Sequence, residues 1–180
     1  DTDIITFSNG TKAILFLNPA EAGRIYVQAR FGNGRKAFSP AKSASAMFGP
    51  MLMTSSGVGP FDKDALDRLT SGRLLDVGFD MADDAFVLGG TTRAADLSDM
   101  LLLMTHQLAN PRFDAAPVNR ARAALLASYG SSDATAQAVL GREMGSILRG
   151  GDKRWAMPSK EETQALTPEA FRKTWEPLLK

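Results

Sequence analysis

Stretches with a two-residue period come in pairs along this 180-residue chain, and each pair is followed by consecutive stretches with a helical period. That order constrains the fold more than any single motif. Strands that follow one another directly can close antiparallel hairpins, whereas a parallel sheet needs a crossover between each strand and the next. Ser8-Asn9-Gly10 is a turn signal, and in Thr11 to Leu17 the residues Ala13, Leu15 and Leu17 face one way and Ile14 and Phe16 the other. Ile25, Val27, Ala29 and Phe31 then alternate with Tyr26, Gln28 and Arg30, the pattern of a half-buried strand. Asn18 to Gly23 reads as the turn joining these two strands into a hairpin. Leu74 to Phe79 and Ala85 to Thr91 make a second pair, turning at Asp80 to Asp84.

Helices fill the remainder. From about Lys42 to Thr54, Ala44, Met47, Phe48 and Met51 fall at helical spacing, and Ser56 to Pro60 ends that helix. Asp62 is placed to cap a short helix through Arg68 and Leu69. After the second strand pair, Leu97, Leu101, Met104 and Leu108 form one stripe, stopped by Asn110-Pro111. Asp114 can open the next helix, running through Leu125 and Leu126. Another covers about Ala134 to Leu148, ending at Gly150-Gly151. Ser159 and Glu162 have the spacing of a capping box, and Thr167-Pro168 opens a last helix holding Phe171, Trp175 and Leu178. The expected fold is α+β, an antiparallel sheet covered by several helices, as one domain over residues 1–180.

Composition narrows the chemistry. The chain has no Cys, which removes disulfides, thiolate metal sites and Cys nucleophiles, and its single His cannot build a two-His zinc site. A net charge of +1 gives no electrostatic reason to expect nucleic acid. The most apolar run, Met100 to Met104, is far too short for a membrane span, so no membrane insertion is expected. Asp1 in place of an initiator Met suggests a processed or excised piece.

The candidate sites read as structural. Gly32-x-Gly34 and Gly57-x-Gly59 lack the third glycine and the strand–helix context of a dinucleotide site, and read as turns. His106 sits across its helix from the apolar stripe with Asp99 on its own side, and no nucleophile is evident for it. Arg142, Arg149, Lys153 and Arg154 cluster without interleaved aromatics, as a solvated face or interface rim would. Met47, Met51 and Met53 read as core or as a packing face. Ser39-Pro40-Ala41-Lys42 has Ser-x-x-Lys spacing, but Pro40 suits a turn.

Several segments together resemble one family. Phe7-Ser8-Asn9-Gly10-Thr11-Lys12 before an apolar strand, the strand ending Phe31-Gly32 before an Ala/Met-rich helix, Gly57-x-Gly59 before Asp62 and Leu66, Gln107 to Phe113, and Ala165 to Phe171 follow the order of an insulinase/pitrilysin-type (M16) metallopeptidase domain. Active members carry His-x-x-Glu-His, two zinc-binding histidines and a general base on one helical face. The matching stretch here is Ala46-Met47-Phe48-Gly49-Pro50, and the nearest match to the third ligand is Ser128. No catalytic, cofactor-binding or metal residue is therefore carried over.

The resemblance implies the M16 domain fold, short of its last strand, and a non-catalytic domain from the second half of a longer zinc metallopeptidase. It implies that zinc sits in the catalytic half of the parent and not here. It also implies homologous M16 domains as partners, in the same chain or another subunit, and a peptide substrate enclosed between the halves. A catalytically dead assembly module of the same fold is the alternative. Bacterial relatives are often exported, which favours the periplasm or cell envelope.

Overall fold

The structure is a computed structural model describing residues 2–132 and 134–179; Asp1 and Lys180 lie outside the described residues. Among the described residues, five strands form two antiparallel sheets, accompanied by seven α-helices. β1 (Thr2–Thr6) and β2 (Lys12–Phe16) make a separate two-stranded ladder. β3 (Ile25–Phe31), β4 (Asp76–Met81) and β5 (Phe86–Thr92) form a sheet in the order β3-β5-β4. The α+β class read from the sequence is the fold observed.

Two of its details differ from the sequence expectation. The strand over Lys12–Phe16 does not form a hairpin with Ile25–Phe31. It turns back on β1 through Phe7 to Thr11, where Phe7 and Thr11 close the turn with a 2.8 Å backbone hydrogen bond and the Asn9 side chain accepts from the Thr11 N–H. The connection before β3 is instead occupied by a 3-10 turn, Pro19–Glu21, capped by Asn18. The second expected pair is present, with β4 running on to Met81 and turning through Ala82 to Ala85.

The core lies on one face of the three-stranded sheet. Phe86 and Leu88 on β5 and Phe79 and Met81 on β4 point into it. The helices α1 (Ser43–Leu52), α3 (Leu97–Ala109), α4 (Ala115–Ser132) and α7 (Pro168–Trp175) cover them. Trp175 is fully buried at the centre, with the rings of Phe38, Phe86 and Phe79 at 5.0, 5.3 and 5.6 Å. Its indole N–H donates to the Ser45 carbonyl at 2.9 Å, so the one polar atom of the ring is satisfied inside the core.

The expected helices form, and three of their caps, at Asp62, Ser159 and Thr167, are ones the sequence shows. Asp62 accepts from the Ala65 N–H to open α2 (Lys63–Thr70). Ser159 and Glu162 form the reciprocal capping box of α6 (Lys160–Gln164), and Thr167 caps α7. α5 (Ala136–Ile147) starts at a Thr135 cap. Two stripes are rotated from expectation. On α3 the buried residues are Met100, Met104 and Gln107, while Leu101 is exposed. On α1, Ala44, Ala46, Phe48 and Leu52 are buried, while Met47 and Met51 face solvent.

Candidate functional site

The segment that resembles the family's metal-binding helix lies on α1, within the core. Ala46 is fully buried and Phe48 nearly so. A side chain at Gly49 has nowhere to go: a Cβ built there would sit 1.8 Å from Cζ2 and 2.5 Å from Cη2 of Trp175. Real Cβ atoms do not approach ring carbons so closely, so Gly49 is the socket for the indole. Pro50 lies inside the helix and has no N–H to give to the Ala46 carbonyl. Ser128, on α4, turns its hydroxyl back to the Leu125 carbonyl at 2.8 Å.

A groove of about 450 Å³ separates α1 from α4. Its walls are Phe48, Met51, Leu52, Ala121, Ala124 and Leu125, with Arg120 at the edge. No carboxylate or imidazole lines it, and among the described residues no three His, Cys, Asp or Glu side chains come together. Zinc needs anionic or imidazole donors. Ala46, Gly49, Pro50 and Ser128 supply none on this helix pair, and the indole fills the space where a base would stand. These residues do not fit a zinc ion.

His106 is exposed on α3, its Nδ1 3.2 Å from the Asn110 side-chain amide. It borders an apolar groove of about 330 Å³ between α2 and α3, lined by Phe61, Leu66, Leu69 and Leu102. Asp99 borders the same groove, on the side of α3 expected from its spacing, but its carboxylate is paired with Arg73. Thr70 also borders the groove, and its hydroxyl donates to the Leu66 carbonyl, so the arrangement holds no activated nucleophile.

The basic cluster is not bare, and one expectation about it is corrected: an aromatic residue does interleave. The Trp155 ring is met by two guanidiniums, Arg149 at 4.9 Å and Arg154 at 5.1 Å from its centroid. Asp83, in the β4–β5 turn, accepts from both Arg149 (2.9 Å) and the Trp155 indole (2.8 Å). The hydrogen bond from Arg149 comes first among the causes that hold the Asp83 carboxyl below its ordinary pKa. Arg154 pairs with Asp152 and Arg142 with Glu143, so the ring of charge is largely neutralised. Arg35 reaches the Arg154 carbonyl at 3.0 Å, and burial lowers its own pKa. This is a latch between a sheet turn and the end of α5.

The glycine pairs are turns. Gly34 has φ +55°, and a Cβ there would meet the Ala82 carbonyl at 2.3 Å; Gly57 has φ +86° and would meet the Phe61 carbonyl at 2.4 Å. Ser39 and Lys42 bracket a 3-10 turn whose closing bond is backbone to backbone.

Comparison with known proteins places this geometry. No protein-family model matches the chain, and no curated protein matches it. Solved structures do. The periplasmic protease PqqL from Escherichia coli superposes on 98% of this chain with a TM-score of 0.82 at 15% identity, the match covering 19% of PqqL. The ferredoxin protease FusC, solved with Arabidopsis ferredoxin, superposes on 99% with a TM-score of 0.76 at 20% identity, over 20% of its chain. An inactive domain of peptidase M16 from Pseudomonas fluorescens superposes on 96% with a TM-score of 0.73 at 18% identity, over 43% of its chain. The chain therefore has the fold of an M16-type peptidase domain. It spans between about a fifth and under half of the length of the structures it matches.

Proposed function

We propose that this chain is a non-catalytic domain of an M16-type zinc metallopeptidase, a single structural unit within a longer protein. Its role is to pack against a zinc-bearing half and to wall the chamber that encloses a peptide. The M16-type fold supports the reading together with one feature of its core, the Trp175 ring seated on Gly49 of the helix that resembles the metal-binding one. A helix that has given its inner face to core packing can hold a wall in place but cannot hold a metal. Zinc and peptide hydrolysis then belong to the partner half. The likeness to a periplasmic protease supports a place in the cell envelope, and no described helix is long and apolar enough to cross a membrane.

Metal content measured on the full-length protein beside this 180-residue chain tests the proposal. Near-stoichiometric zinc and peptide hydrolysis are expected in the former, and neither in the latter. Stoichiometric zinc on this chain alone would overturn it. A full-length protein without zinc or activity would favour an assembly module of the same fold.

A further inference from the structure

We propose that α5 is a strap: residues 136–149 leave the body of the domain as one cooperative unit while the core stays folded, and a polar clasp at Asp83, Arg149 and Trp155 sets how often they do so. The helix sits inside out. Its outward stripe is Leu140, Met144 and Ile147, extended by Leu148 just past its end, at 38 to 72% exposure. Its inward stripe is Val139, Arg142 and Ser146, of which Ser146 alone is buried. A surface helix turns its apolar stripe to the core. Here none of the side chains that make up the core, or that pack half-buried against it, comes from α5. Detaching the helix therefore uncovers little apolar surface, and the hydrophobic effect, which scales with that area, does little to keep it in place.

What holds α5 is polar and gathered at its C-terminal end. Arg149 donates to Asp83 at 2.9 Å and lies over the Trp155 ring, and the Trp155 indole donates to the same carboxylate at 2.8 Å. Both partners of the ion pair are more than a third exposed, and exposed pairs contribute little singly. Trp155 closes against the helix because Gly145 has no side chain: a Cβ there would lie 2.8 Å from the Trp155 carbonyl oxygen. Between helix and tryptophan the chain passes through Gly150 and Gly151, both at positive φ with open space where a Cβ would stand, a joint that can turn without dragging neighbours. Elsewhere α5 leans on α4. By contrast α1 and α7 bury Phe48, Leu52, Phe171 and Trp175 and can open only with the whole domain. Segments with few buried apolar contacts open at a free energy well below the global one. A helix as short as α5 is marginal once free in water, so opening melts it and its amides exchange.

Native-state hydrogen exchange on the 180-residue chain tests the strap. Amides of residues 140–148 are expected to share one opening equilibrium and to be about 100-fold less protected than those of α1 and α7. Asp83→Ala removes two hydrogen bonds to one carboxylate and should lower protection across α5 by about tenfold, with α1 and α7 unchanged. Gly145→Ala separates a clasped strap from a helix that merely frays. The methyl raises intrinsic helicity yet pushes Trp155 away, so α5 should lose protection where a fraying helix would gain it. Amides of α5 as slow as those of α7 would overturn the proposal. So would protection that grades inward from the helix ends and ignores Asp83→Ala, or that rises in Gly145→Ala.

Discussion

The β1–β2 hairpin and the β3–β5–β4 sheet are both rich in large apolar residues and share an antiparallel geometry, yet one is almost wholly exposed and the other carries the core. The difference lies in what sits above each. The larger sheet has a helical layer on one face, and its strands alternate to suit: Phe79 and Met81 inward against Asp76, Gly78 and Asp80 outward on β4. The hairpin has no layer of its own and does not alternate in polarity, with Ile4 beside Ile5 and an unbroken Ile14 to Leu17. The comparison separates apolar residues buried by their own chain from apolar residues left exposed by it.

The largest effect should come from the centre of the covered sheet. Trp175→Ala removes an indole that touches four phenylalanine rings and fills the Gly49 socket, and is expected to destabilise the chain by about 3–5 kcal/mol in urea unfolding. Gly49→Ala forces a methyl into the same ring and should cost about 1–3 kcal/mol. The pair should be strongly non-additive, because the alanine methyl has space once the indole is gone. Additive effects would mean that Gly49 leaves space for something other than Trp175, and would remove the main support for reading α1 as a packing helix.

A smaller effect belongs to the joint between the sheet and α3. The Asp96 carboxylate is almost fully buried; it accepts from the Leu74 N–H at 2.9 Å and from Arg93 at 2.5 Å. The Leu74 bond, then Arg93 and more distant Arg73, hold its pKa below the ordinary carboxylate value. A carboxyl lowered by folding contributes stability above its unfolded pKa of about 3.9 and loses it as pH falls through the lower folded value. Unfolding followed from pH 7 to 3 should show an acid limb that Asp96→Asn flattens. If the asparagine variant keeps the full limb, other carboxylates carry it, with Asp83 in the Trp155 latch and Asp152 beside Arg154 first in line.

Much of this was legible in the sequence. The caps at Asp62, Ser159 and Thr167 were readable because capping is local chemistry, decided within four residues. The α+β class was readable because period and order survive any packing detail. Strand partnership was not: Lys12–Phe16 has apolar residues on both faces, so alternation cannot say which neighbour it seeks, and β1 before the Ser8-Asn9-Gly10 turn competes with β3 after it. The rotated stripes on α1 and α3 have a similar origin, since Leu101 and Met51 are apolar at helical spacing yet lie beyond the reach of the sheet. The replaced zinc motif was visible as residue types. What replaced it was not, because Gly49 and Trp175 are distant in sequence and meet only through the fold. An apolar helix holding an unexplained glycine was the available sign.

The smallest effect sharpens the comparison from the exposed side. Ile4→Ser and Ile14→Ser should each change unfolding free energy by no more than about 0.5 kcal/mol, as for surface positions away from any cap or buried contact. The same exchange at Phe79 or Leu88 removes a buried side chain and leaves a hydroxyl in the core, a loss of several kcal/mol by the usual sum of cavity and unsatisfied-polar terms. Two strand pairs of nearly equal apolar content would then differ severalfold or more in what they contribute to stability. If instead Ile14→Ser destabilises the chain by more than about 1.4 kcal/mol, a tenfold change in the folding equilibrium, the hairpin is packed on its own chain in solution. The contrast between the two sheets would then lie in geometry alone and not in energy.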